Sequence, residues 1–140
     1  MRLQNRSQYA IRVLNHIASE NRNQKSVKLF TAKDLAETLE IPYKFLTKIM
    51  LELSQAGFLT SVRGRDGGYH LSKEPCEIHL SEILDTFNES ATEKACIMGA
   101  GLCDQQKQCP LHKQWAKPKE MIKKMFDETT LEMMMEEEST

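Results

Sequence analysis

Long hydrophobic runs are missing from this 140-residue sequence. Its opening, MRLQNRSQYAIRVLNHIAS, alternates charged and apolar residues, which suits neither a secretion signal nor a membrane span. The expected compartment is the cytoplasm, with no membrane partner. A nucleotide-binding glycine fingerprint is also missing. No pairing of His16, His70 or His79 with a carboxylate suggests catalysis, so an enzyme is not expected. Net charge is nearly absent too, at −1, but the two halves differ. Residues 1–73 carry twelve Lys/Arg against six Asp/Glu, a net of +6, and residues 74–140 carry seven against fourteen, a net of −7. A basic half joined to an acidic half predicts that one half meets a polyanion. The length suits one compact domain with an appendage.

What is present begins with helices. Residues 7–20 place Tyr9, Ala10, Val13, Leu14, Ile17 and Ala18 at helical spacing, with Ser7 as the expected N-cap and His16 on the surface. Thr31-Ala32-Lys33-Asp34 is a capping-box variant that opens TAKDLAETLE, with Leu35, Ala36 and Leu39 inward. Pro42 suits a first helical position and starts PYKFLTKIMLELSQA. That helix is expected to turn Phe45, Leu46, Ile49, Met50 and Leu53 inward and to stop at Gly57. Two short helices joined by a tight turn describe a helix-turn-helix. Residues 58–62 and 68–72 then read as two antiparallel strands around Arg63-Gly64-Arg65-Asp66-Gly67. Two arginines on a glycine-rich tip suit a wing that lies against phosphates or enters the minor groove. The combination predicts a winged helix.

The acidic half reads differently. Cys76 stands apart and is expected to be a buried structural thiol. Ser81 is expected to cap a short helix with Ile83, Leu84 and Phe87 as its apolar face. Residues 90–109 form a long connection that holds Cys96, Cys103 and Cys109, three of the four cysteines. Six residues separate the first pair, five the second, and two separate Cys109 from His112. Soft thiolates and a borderline imidazole at this spacing suit zinc or an iron–sulfur centre. A disulfide is the weaker reading, because a reducing compartment favours metal ligation. From Pro110 to about Thr129 a helix is expected, with Leu111, Trp115, Pro118, Ile122 and Met125 on a heptad-like seam. Met121 and Phe126 broaden that stripe, so a second copy of the helix is its expected cover. Pro118 should kink or restart the helix.

The expected architecture is mainly α with a small β-hairpin wing. Residues 1–73 are assigned to a winged helix-turn-helix domain and 74–109 to a short helix and the cysteine loop. Residues 110–129 form the dimerisation helix, and 130–140 an acidic, disordered tail.

The opening MRL with QYAIRVL, the run IPYKFLTKIMLELSQAGFLTSVRGRDGGYHLS, the three-cysteine loop and the ending TTLEMM carry a resemblance. Together they resemble the Rrf-type family of winged-helix transcription regulators, whose branches include IscR, NsrR and RirA. The likeness spans nearly the whole chain. It implies a homodimer that binds double-stranded promoter DNA at a palindromic site, with an iron–sulfur cluster in each subunit held by Cys96, Cys103 and Cys109. His112 matches the extra ligand of the IscR branch, which binds a 2Fe–2S cluster through three Cys and one His. In the NsrR branch the fourth ligand is a carboxylate of the partner subunit, at the position where this chain has Gln8. An amide is a poor iron ligand, so His112 is the expected ligand and Gln8 a residue near the partner subunit's cluster. The first cysteine interval is one residue longer than in those two branches. The resemblance thus favours 2Fe–2S over 4Fe–4S, and a sensor of iron or cluster status, redox or nitric oxide. On DNA, Tyr43, Lys44, Thr47 and Lys48 are expected to face the major groove and Arg63 and Arg65 to form the wing contact, with Arg2, Arg12 and Lys33 on the backbone. Two alternatives are a winged-helix regulator with structural zinc in the same four ligands and a cluster-free regulator acting through a protein partner.

Overall fold

The computed structural model describes residues 3–22, 28–89 and 110–138. Helix α1 spans Asn5–Asn21, and Ala10, Val13, Leu14 and Ile17 on its inner face have no exposed surface. It starts two residues before the expected cap. Gln4 is the N-cap residue without a side-chain cap bond, while Ser7 lies one turn inside, wholly buried. Tertiary contacts set this start: Leu3 packs on the core, and the Gln4 N–H donates to Glu89 Oε1 at 2.7 Å. Helix α2, Ala32–Leu39, is capped locally as its sequence predicts, with the Asp34 N–H donating to Thr31 Oγ1 at 3.1 Å. Glu40 closes it in the left-handed region at φ 55°, and buried Ile41 directs the chain into helix α3, Tyr43–Gln55. Leu46, Ile49, Met50 and Leu53 of α3 are buried, but Phe45 is 56% exposed. That corrects the inward placement of Phe45. It lies on the flank of the stripe centred on Leu46 and Met50 and lines a groove toward α1.

Gly57 ends α3 at φ 89°, where a side chain would be strained. The chain then forms β1, Leu59–Val62, paired antiparallel with β2, Gly68–Leu71, in the register Leu59↔Leu71 to Val62↔Gly68. Phe30 adds a single bridge to Tyr69, with bonds of 3.0 and 2.7 Å in the two directions. Gly68 permits that approach, since a Cβ there would lie 2.9 Å from the Phe30 carbonyl oxygen. The hairpin is thereby fastened at the segment that enters α2.

A 3₁₀ turn at Pro75–Glu77 leads into α4, Leu80–Thr86. Cys76 on that turn is exposed, which corrects its expected burial: the turn sends Ile78 inward instead, at 0% exposure. His79 is the N-cap position of α4 and Ser81 lies inside the helix, because backbone pairing of Ile78 and Leu80 with Leu131 and Thr129 sets where α4 begins. Helix α5, His112–Glu128, continues through Pro118 without a restart. Phe126 turns into the chain's own core and Ile122 packs against it, so part of the expected seam is used internally.

The tail differs most from expectation. Residues Leu131–Glu138 form α6 rather than a disordered segment. Leu131 and Met135 are buried, with Met134 packed beside them, so the apolar residues recur on one face that seats on the core. Its far end is tied to α1 by bonds from Asn15 Nδ2 and Ser19 Oγ to the Glu138 carboxylate, at 2.8 and 2.6 Å. Those bonds hold the Glu138 carboxyl below its ordinary range. The Leu131→Ala protein is expected to lose about 2–5 kcal/mol in denaturant unfolding. A carboxyl depressed in the folded state stabilises above its unfolded pKa, and that contribution is lost as pH falls through the folded value. The stability gap between the wild-type and Glu138→Gln proteins should therefore shrink on acidification from about pH 6 to about pH 3.

Candidate nucleic-acid interface

The buried stripe of α3 leaves its opposite face to solvent. Lys44, Lys48, Leu51 and Gln55 follow one another at intervals of three and four on that face, and all are exposed. Tyr43 is 57% and Leu51 56% exposed. Thr47 is half-buried, with its hydroxyl donating to the Lys44 carbonyl at 2.9 Å. Its side chain is therefore engaged within the helix, while the two lysines extend outward. Sequence reading missed Leu51 and Phe45 as exposed groups. Leu51 could have been found, because it falls in register with Lys44, Lys48 and Gln55 rather than with Leu46, Met50 and Leu53. Exposed apolar groups among cations suit contact with thymine methyls in a major groove.

The hairpin follows directly from α3. The Phe58 N–H donates to Leu53 O at 3.0 Å and the Ser72 N–H to Phe58 O at 2.9 Å, so the base of the hairpin is joined to the end of the recognition helix. At the tip, the Gly67 N–H donates to Gly64 O at 3.1 Å. Gly64 takes φ 117°, and a Cβ on Gly67 would lie 2.0 Å from Val62 O. Arg63 and Arg65 are both exposed on this tight loop. None of Lys44, Lys48, Arg63 and Arg65 is ion-paired among the described residues. Four available cations on one helix face and the adjoining loop make a surface that attracts phosphates. Arg12 is placed otherwise: it donates to Leu39 O at 2.5 Å and ties α1 to the end of α2. Lys33 is exposed on the first turn of α2, and Arg2 lies outside the described residues.

Of the expected metal ligands, Cys96, Cys103 and Cys109 also lie outside the described residues. His112 is half-buried and is the first residue of α5. No cluster of three or more His, Cys, Asp or Glu that could hold a metal occurs among the described residues. Gln8 is half-buried on α1 and donates through Nε2 to Leu3 O at 2.8 Å. The donor chemistry fits an iron–sulfur centre: three thiols and an imidazole stand within seventeen residues. The start of α5 has no side-chain cap.

Comparison with known proteins agrees with this geometry. A family model described as Rrf2, iron-dependent transcriptional regulator, matches residues 3–137. The transcriptional regulator IscR of Vibrio cholerae serotype O1 is 30% identical over 139 residues, covering 99% of this chain and 78% of that protein. NsrR of Bacillus licheniformis is 36% identical over 92 residues, covering 63% and 62% respectively. Among solved structures, CymR, the global cysteine regulator of B. subtilis, superposes with a TM-score of 0.78 over 97% of both chains at 20% identity, a likeness of fold. These relatives are regulators rather than enzymes, in line with the missing catalytic pattern. Among the described residues no helix is long and apolar enough to cross a membrane. If Arg65 meets a phosphate, Arg65→Ala should weaken binding to the cognate site and lower the slope of log affinity against log salt by about one. Titrations at several salt concentrations check this, and an unchanged slope would remove Arg65 from the interface.

Proposed function

The chain belongs to the Rrf2 family of transcriptional regulators, and from that premise we propose that it is a homodimeric promoter-binding protein controlled by an iron–sulfur cluster. One observation carries the reading. The three thiols lie in sequence between Glu89, beside the first turn of α1, and His112 at the head of α5. A change in that segment therefore acts on both the reading head and the helix that faces a second copy.

On DNA, Lys44 and Lys48 enter the major groove with Tyr43 and Thr47 beside them, and Arg63 and Arg65 follow the backbone at the wing. The phosphate contacts supply most of the affinity, and the base edges near the start of α3 supply the choice of site. A palindromic site needs two heads. Helix α5 supports their pairing, because Leu111 at 44%, Met121 at 70% and Met125 at 49% exposure remain uncovered. A second copy laid on this helix would bury them.

Cys96, Cys103, Cys109 and His112 would hold the cluster, in a 2Fe–2S form rather than 4Fe–4S. When bound, it supplies an iron centre that exchanges electrons and reacts with oxidants and nitric oxide. The cysteines bind as thiolates and His112 as a neutral imidazole, so assembly releases protons and depends on pH. Gln8, a neutral amide, stands near the partner subunit's cluster without replacing His112.

Anaerobically purified protein is expected to be coloured, with about two iron and two sulfide per subunit if the centre is 2Fe–2S. Colourless protein with stoichiometric zinc would support a structural metal, and protein with no metal a regulator that acts through a partner. His112→Ala should alter the visible spectrum and the DNA affinity of the loaded protein. If both stay unchanged, His112 is not a ligand.

A further inference from the structure

Arg6, in the first turns of α1, has no role in the interface described above. Its guanidinium nevertheless touches two distant parts of the chain. Nη1 lies 3.9 Å from Glu52 Oε1, in the second half of the recognition helix α3. Nη2 donates to the Phe87 carbonyl at 3.4 Å, at the end of α4, and the same group lies 5.7 Å from the Phe87 ring centroid. The Phe87 side chain is 1% exposed and so anchored in the core. Two residues further on, Glu89 accepts the Gln4 N–H at 2.7 Å and is the last described residue before the segment with the cysteines. A groove of about 350 Å³ between α1 and α3 separates the two helices at this level, lined by Tyr9, Phe45 and Lys48 among others. Arg6 and Glu52 therefore reach toward each other where the apolar packing is incomplete.

We propose that Arg6 is a positioning residue that joins the recognition helix to the mouth of the cysteine segment. The inference rests on the regulator reading above and names its mechanical link. Arginine suits this task because its planar fork offers several donors at once, to a carboxylate on one side and a carbonyl on the other. Lysine, a single point charge, cannot hold both geometries equally well. A shift of residues 87–89 changes the carbonyl and ring that hold the guanidinium, and so the pull on Glu52. Glu52 lies one turn from Lys48, which makes the setting of the reading face dependent on the state of the segment beyond Glu89.

Two measurements on the full-length protein test this. The first compares promoter affinity with and without the cluster for the wild-type, Arg6→Gln, Arg6→Lys and Glu52→Gln proteins. The cluster-dependent ratio of affinities should fall by about fivefold in Arg6→Gln and Glu52→Gln, the size one partly exposed link supports, and by less in Arg6→Lys. Cluster spectra and unfolding midpoints should stay at wild-type values, which a merely structural role would not predict. The second is amide hydrogen exchange on cluster-free protein. Arg6→Gln should speed exchange both in residues 50–55 of α3 and in residues 84–89, and leave α2 unchanged. If wild-type protein binds DNA equally in both states, the sensor reading fails, and the exchange result alone decides on Arg6. Faster exchange at one end only, or at neither, overturns the link, as does an unchanged affinity ratio in a wild-type background that shows one.

Discussion

The fold depends on one constraint: the apolar surface of α1 must be covered on several sides at once. Ala10, Val13, Leu14, Ile17 and Ala18 are all at most 1% exposed, and no single neighbour could enclose them. Helices α3, α4 and α6 pack against α1 to do so, and β2 reaches it as well. Each fully buried aliphatic side chain contributes about 1.5–3 kcal/mol, so this helix carries a large share of the core's stability. The orientation of the recognition helix follows from the same packing, because Leu46, Ile49, Met50 and Leu53 can meet the core only with Lys44 and Lys48 turned to solvent.

That arrangement also braces the helix-turn-helix and the wing. The turn from α2 to α3 is closed by Glu40 in the left-handed region and by the Ile41 N–H on Ala36 O at 3.0 Å. The wing is fixed to the end of α3 through Phe58 and to the entry of α2 through Phe30. The cationic surface is thus presented by a braced unit. At the boundary with α4, Ile83, Leu84 and the C-cap residue Phe87 are buried in the shared core, and polar contacts join them at the rim, with Arg6 on the Phe87 carbonyl and Gln4 on Glu89.

Helix α6 shows how the acidic half completes this body. A run of methionines and glutamates would stay in solvent by composition alone, yet Leu131 and Met135 fill the gap beside α1. Backbone pairing of Leu131 with Ile78 and of Leu80 with Thr129 then fastens the start of α4 to the junction of α5 and α6.

Local chemistry was readable from residues alone. The Thr31 cap, the Gly57 stop, the hairpin around Arg63 to Gly67 and the apolar stripes of α1 and α3 depend on neighbours within a few positions, and each occurs where its residue types require. The helix-turn-helix with a basic wing followed from them, and the family from the resemblance of whole runs of sequence. What failed were features set by distant partners. Ser7 did not cap α1, since Leu3 and Glu89 fix that start from outside. Ser81 did not cap α4, whose beginning is set by Thr129 and Leu131. Cys76 is exposed because Ile78 takes the inward place. Phe45 faces a groove whose other wall is α1, and α6 is helical because α1 offers it a seat. The sequence by itself determined the local elements, the cations of α3 and the wing tip, and the four candidate donors, because spacing along the chain encodes them. Only the tertiary structure decided where helices begin, which apolar groups stay uncovered and how Arg6 reaches both Glu52 and Phe87, because burial is shared among segments that the chain order keeps far apart.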